Sequence, residues 1–215
     1  ALHFNLAEAV DFDLKFRLNK HLPNSIVVYD VIELNRDQHT RFDAVSRTYD
    51  YFIHLYKDPM LHQYSSFYEL EKLNFEAMHK AVALLPLYTD FKSVCKQPNI
   101  YKHTLCTVTH AQLFVHENQQ RLRFTITANR FLRGMVRLLV SYLLKIGTGE
   151  MTLERFEEIL KHQLDVPEKA PAHPNGLYLS KIEYPYLELA KQDDVCSFLK
   201  AELNGPSTGS GTVQL

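Results

Sequence analysis

The sequence predicts an α/β-type (α+β) fold in two layers, an antiparallel sheet with helices packed on one side. Three observations support this. Several runs rich in Val, Ile, Tyr and Phe alternate with the period of a strand, and others carry apolar residues at the period of a helix. The two kinds of run are mixed along the chain, joined by hairpins with few clean strand–helix–strand repeats. No internal sequence repeat is evident.

Leu2–Leu6 reads as a strand, and Phe12 to Leu22 has helical spacing through Phe12, Leu14, Phe16, Leu18 and Leu22. Ser25 to Leu34 is rich in Val and Ile and reads as a second strand by β-propensity. Ser46 to Tyr56 alternates Tyr49, Tyr51, Ile53 and Leu55 on one face. Asn74 to Leu85 follows the helical period, with Asn74 as N-cap and Pro86 as the stop. Leu105 to His116 and Arg121 to Ala128 form a hairpin across Glu117–Gln120. A helix is expected from Asn129 to about Ile146, closed by Gly147. Another runs from Thr152 to Leu164, with Thr152 capping and Glu154, Glu157 and Glu158 near its positive end. Gly176 to Tyr184 is the last strand, Glu188 to Leu203 a C-terminal helix, and 205–215 a polar Gly/Ser tail expected to be disordered.

The 215 residues are 46% hydrophobic and 23% charged, enough for one large domain or two small lobes. No apolar run approaches the ~20 residues of a membrane span, and no signal peptide is read at the start. Cys95, Cys106 and Cys196 form no CxxC motif, which suits buried thiols in a reduced cytosolic setting. The eleven histidines are scattered without an HExxH or a Cys/His cluster, so no metal is expected. Net charge is −1, but between Phe91 and Gly149 nine basic residues face the single acid Glu117. That stretch is +8 and the remainder −9, a segregation that suits a polyanion held on one surface or a solvated basic face.

Arg130, Arg133 and Arg137 fall at i, i+3 and i+7 of the expected helix and would share one stripe of an otherwise apolar element. They either reach solvent at its edge, or one is drawn into a site as a charge partner while the others hold RNA backbone. Tyr49 and Tyr51, flanked by Arg47, share a strand face as core packing or as a platform on which a flipped base stacks. Asp43, Asp50 and Asp90 are the candidate acids. Asp50 alternates away from Tyr49 toward solvent, and Asp90 caps its own backbone. The chain has no G-x-S-x-G elbow, P-loop or G-x-G-x-x-G.

Five segments in order resemble the TruA-type pseudouridine synthases, which modify the anticodon arm of tRNA. They are Arg41-Phe42-Asp43-Ala44 followed by Ser46–Tyr51, then Thr89-Asp90-Phe91, then Ala128–Arg137, and finally Ala170–Leu179; Leu18-Asn19 with Leu22-Pro23 also fits. The resemblance implies the pseudouridine-synthase fold, two lobes around a central antiparallel sheet, as a cytoplasmic homodimer acting on tRNA without cofactor, metal or membrane. It implies that Tyr49 is the active-site tyrosine, stacking on the target base and helping remove its C5 proton. Arg137 would pair with the catalytic aspartate, and Gly176, Leu177 and Leu179 would line the cleft. Arg47, Arg130 and Arg133 are the expected RNA contacts. Residues 1–56 would be the remainder of an N-terminal lobe and 57–204 the C-terminal lobe.

One departure bears on activity. The family's nucleophile is the aspartate of a G-R-T-D-x-G-V-H stretch, and residues 1–215 contain none. The expectation is therefore an N-terminally truncated chain, inactive alone, with a tRNA-binding module or an inactive paralogue as the alternative.

Overall fold

The computed structural model describes residues 1–8, 10–35, 37–166 and 169–187, and the chain divides into two compact units between Ala44 and Val45. The expected helix 188–203 and the tail 205–215 lie outside the described residues.

The first unit contains α1 (Leu14–His21). Asp13 caps it by accepting from the Phe16 N–H at 2.9 Å, and Lys20 and His21 sit in its last turn, where they oppose the negative end of the helix dipole. The strands expected at Leu2–Leu6 and Ser25–Leu34 are not formed. Around Val28 the backbone groups have found local partners instead. Asn19 accepts from the Val28 N–H at 2.7 Å and donates to its carbonyl at 2.8 Å, while Ile26 N–H goes to Pro23 O. β-propensity describes side chains suited to a pleated surface; without a ladder partner it does not make a strand.

The second unit is built on β1 (Ser46–His54). It runs antiparallel to β4 (Arg121–Ala128) from Arg47↔Ala128 to His54↔Arg121. It is antiparallel as well to β5 (Leu177–Glu183) from Ser46↔Glu183 to Tyr51↔Leu177. β3 (Val108–Val115) pairs with β4 as the expected hairpin, and the two-residue β2 (Ser66–Phe67) pairs parallel to the end of β1, which makes the sheet mixed. β1 is thus the hub of a sheet completed by later strands.

One face of this sheet carries Tyr51, Ile53, Leu113, Leu122, Phe124, Ile126 and Ala128 into the main core. Helices supply the other layer: α2 (Phe75–Leu84), α3 (Met135–Thr148) and α4 (Leu153–His162). Asn74 caps α2 and Thr152 caps α4, as their sequence positions predict. Among the described residues no helix is long and apolar enough to cross a membrane.

Two expectations are corrected here. The helix expected from Asn129 begins only at Met135 and ends at Thr148, with Gly149 rather than Gly147 at its C-cap. Asn129 does not cap it: its side chain accepts from the Thr107 N–H at 2.8 Å, tying it to the chain entering β3. Gly134 then adopts φ +76°, a left-handed conformation through which a helix cannot run. Arg130 and Arg133 therefore precede the helix, and the three-arginine stripe does not exist.

The second correction concerns Asp50, which faces away from Tyr49 but not into solvent; it is 1% exposed and accepts from the Thr125 hydroxyl. His54, Phe52 and Arg123 are also buried on that face. Because β1 is flanked on both edges, its neighbours' side chains cover the outward face. The Phe52 ring meets Tyr178 at 5.7 Å, and the Arg123 guanidinium lies 4.0 Å over Phe114.

Candidate active site

Tyr49 sits on β1 between Ile126 of β4 and Leu179 of β5, beside an irregularity in the β1–β5 register between Thr48 and Tyr49. Its ring meets Phe131 edge-to-face at 4.9 Å. Burial raises its hydroxyl pKa, opposed in part by Arg47, so the phenol is neutral at pH 7.

Arg137 lies in the first turn of α3 and is half-buried. Its Nε donates to the Ala172 carbonyl at 2.5 Å, and its own main-chain carbonyl accepts from the Ala172 N–H at 3.0 Å. One residue, Ala172, thus holds both the side chain and the main chain of Arg137. Among the described residues no carboxylate pairs with its guanidinium.

Tyr51, two residues beyond Tyr49 and on the same face of β1, donates to the next carbonyl, that of His173, at 2.6 Å. It also feels the positive charge of Arg137. Tyr49, Tyr51 and Arg137 therefore lie on one side of the sheet.

Segment 129–134, between β4 and α3, organises the basic residues. Arg47 reaches it through a 2.9 Å bond from Nη1 to the Asn129 carbonyl. Arg130 lies 5.6 Å over the Tyr101 ring and 3.5 Å from His103. The Arg133 N–H donates to the Tyr101 hydroxyl at 2.9 Å, and its Nη1 to Gln97 Oε1 at 2.5 Å. Phe131, in the same segment, turns back onto Tyr49. Arg47, Arg130 and Arg133 thus gather around one loop, while Arg137 belongs to the segment at 172–173.

The β5 residues divide by position. Leu179 is Tyr49's partner across the ladder and is 46% exposed. Leu177 is partly buried against the main core. Gly176 is buried, with its N–H on Ser66 Oγ at 3.0 Å and its carbonyl accepting from the Phe52 N–H at 2.9 Å.

The three candidate acids are all in structural use. Asp43 accepts from the His39 N–H at 2.6 Å, and Asp50 is buried on the opposite face of the sheet. Asp90 accepts from the Lys92 N–H at 3.1 Å and the Thr104 hydroxyl at 2.5 Å. Among the described residues no group of three His, Cys, Asp or Glu side chains is placed to hold a metal ion.

Sequence reasoning did not find Phe131 behind Tyr49, Tyr101 and His103 beside Arg130, or the hydroxyls of Ser66 and Tyr68 beside Tyr51. All are contacts between residues distant in the chain. The one local signal was the shared face of Tyr49 and Tyr51.

Residues 88–185, which span Asp90, segment 129–134, α3 and β5, match the family described as tRNA pseudouridine synthase. A relative from Porphyromonas gingivalis named tRNA pseudouridine synthase A is 42% identical, covering 79% of this chain and 67% of that protein. Proteins of the same name from Bacteroides fragilis (38% identical, 85% of this chain, 73% of that one) and Streptococcus sanguinis (31%, 85%, 74%) are similar over the same extent. With identity at this level reaching across both units, the chain belongs to the TruA-type tRNA pseudouridine synthase family.

Proposed function

We propose that this chain forms the cleft of an enzyme that isomerises uridine to pseudouridine in the anticodon arm of tRNA. The reaction breaks the N1–C1′ bond, turns the uracil and joins C5 to C1′. The C5 proton leaves and N1 gains one, so there is no net oxidation and no demand for metal or cofactor. A carboxylate acting on sugar or base must stay ionised near pH 7, and an adjacent arginine favours that form.

The observation that carries the reading is the state of Arg137. Its Nε is fixed by the Ala172 carbonyl, on the same side of the sheet as Tyr49, and this leaves the Nη1/Nη2 edge of the guanidinium for an incoming carboxylate. Tyr49 then stacks on the displaced base and helps remove its C5 proton, giving up its own hydroxyl proton as it takes that one. Leu179, Leu177 and Gly176 wall the cleft, and Arg47, Arg130 and Arg133 hold the phosphates of tRNA. Residues 1–215 hold no G-R-T-D-x-G-V-H stretch, and Asp43, Asp50 and Asp90 are committed elsewhere. On this reading the nucleophile belongs to a segment beyond them, and the 215 residues alone are inactive. The working enzyme is a cytoplasmic homodimer.

The test is release of tritium from tRNA labelled at uridine C5, using a chain that includes the aspartate segment and no added metal. Arg137→Ala and Tyr49→Phe should abolish release while the protein stays folded. A complete chain that releases no tritium from any tRNA ends the enzymatic reading.

The missing aspartate stretch also favours a second reading, a tRNA-binding module. It predicts that residues 1–215 bind tRNA with an affinity that falls steeply with salt; an isotherm indifferent to salt would exclude it.

A further inference from the structure

Residues 172–176, just before β5, are fastened to the sheet by hydroxyl groups. The Tyr51 hydroxyl, at 0% exposure, donates to the His173 carbonyl at 2.6 Å and lies 2.9 Å from Ser66 Oγ and 3.3 Å from the Tyr68 hydroxyl. Ser66 Oγ accepts from the Gly176 N–H at 3.0 Å, and the Tyr68 hydroxyl accepts from the His173 N–H at 2.9 Å. Gly176 is pressed onto β1 so closely that a β-carbon there would sit 2.3 Å from the Phe52 carbonyl oxygen. Three hydroxyls and a glycine thus hold both ends of a five-residue strap. Its first residue, Ala172, grips Arg137 through both N–H and C=O.

We infer that Tyr51, with Ser66 and Tyr68 behind it, is a positioning residue that sets the guanidinium of Arg137 by fixing the 172–176 strap. The inference rests on the reading of Arg137 as the carboxylate's partner. Tyr51 touches neither base nor sugar in this account. Its hydroxyl locates the His173 carbonyl, the adjoining Ala172 carbonyl follows, and that carbonyl takes the arginine Nε. With Nε held, the rigid planar guanidinium is held with it, and Nη1 and Nη2 face one direction. A strap that drifts releases Nε, and the guanidinium then samples orientations in which a paired carboxylate loses its partner. Burial of Tyr51 reinforces the role, because a hydroxyl kept protonated remains a donor across the working pH range.

The experiment uses the full-length protein and its Tyr51→Phe variant, with Ser66→Ala as a second perturbation should the first fail to fold. For pseudouridine formation, kcat should fall about 10- to 100-fold from small misplacement of a reacting group, with KM for tRNA little changed. The acid limb of the kcat profile should move to higher pH, since a carboxylate that loses its arginine titrates higher. Independently of activity, the Arg137 Nε–H resonance (assigned by its absence in Arg137→Lys) should exchange slowly with solvent in the parent and lose that protection in the variant.

A variant with parental kcat and acid limb overturns the inference, even if its Tm is lower, because hydroxyls that only stabilise the fold would give that result. If the parent makes no pseudouridine, the proposed function fails on its own. The exchange measurement then decides the strap, and an Nε–H equally protected in Tyr51→Phe refutes it.

Discussion

Replacing Gly176 with alanine sets a methyl carbon 2.3 Å from the Phe52 carbonyl oxygen, 3.0 Å from Ser66 Oγ and 3.2 Å from the Tyr51 ring. A carbon–oxygen contact relaxes only near 3.3 Å, so the two chains must part by about 1 Å. The obstructing atom is main chain in the most heavily paired strand of the sheet, and the hydrogen bond between Gly176 O and Phe52 N sits at the same place. Overpacking of this kind costs about 1–3 kcal/mol, a fall of roughly 2–10 °C in Tm for a chain of this length. Gly147 provides the internal comparison. A β-carbon there would meet Met78 Sδ at 2.7 Å and Leu73 Cδ2 at 2.8 Å, both ends of flexible side chains. That strain is offset by the helix propensity that alanine gains over glycine, about 1 kcal/mol. Thermal denaturation of the two variants should therefore show Gly176→Ala clearly destabilised and Gly147→Ala close to the parent. Equal losses, or the reverse order, would refute the claim that backbone crowding at β1 sets the cost.

Other outcomes follow from the same structure. Asp50→Ala removes the buried acceptor of the Thr125 hydroxyl and should lower stability by about 1–3 kcal/mol in urea unfolding, without changing tRNA affinity. Arg130→Ala and Arg133→Ala should each reduce the slope of log affinity against log salt by about 1, measured by filter binding. The Cys106 thiol is pushed up to about 11, chiefly by burial. An acid whose folded pKa lies above its unfolded value contributes stability that is complete below the unfolded value, about 8.5. That contribution is lost as pH climbs toward 11, so denaturation midpoints should drop across this window, and less so in Cys106→Ala. At pH 8 the native protein should also resist thiol alkylation at Cys106 until it unfolds.

The parts of the fold legible in the sequence were those fixed by local rules. Asn74 and Thr152 announced helix starts because an N-cap is satisfied within three residues, and the β3–β4 hairpin was visible because its strands are neighbours in the chain. Where the deciding partner is distant, the pattern misled. Ser25–Leu34 had the composition of a strand but no ladder within its unit, and its amides were taken by Asn19 and Pro23. Arg130, Arg133 and Arg137 had helical spacing, yet Asn129 was held by Thr107 and Gly134 turned left-handed. Asp50 read as exposed because alternation gives the face of a sheet and says nothing about what covers it. For the site, motif order singled out Tyr49 and Arg137. The contacts that hold them, Phe131 on one and Ala172 on the other, join residues 82 and 35 positions apart in the chain (131 minus 49; 172 minus 137) and left no local trace.

β1 is paired along both edges from Arg47 to Tyr51, and its alternate residues carry opposite duties: Tyr49 and Tyr51 toward the helices, Asp50 into the polar layer behind. Such a strand cannot absorb a change of length. One residue gained or lost between Ser46 and Tyr49 would swing a carboxylate into the greasy layer and a phenol onto the opposite face while breaking two ladders together. Insertions and deletions that this architecture survives must therefore fall elsewhere, in connections such as 57–65 or 117–120, and a variant altered within β1 should be recovered only with a compensating change of opposite sign in the same strand.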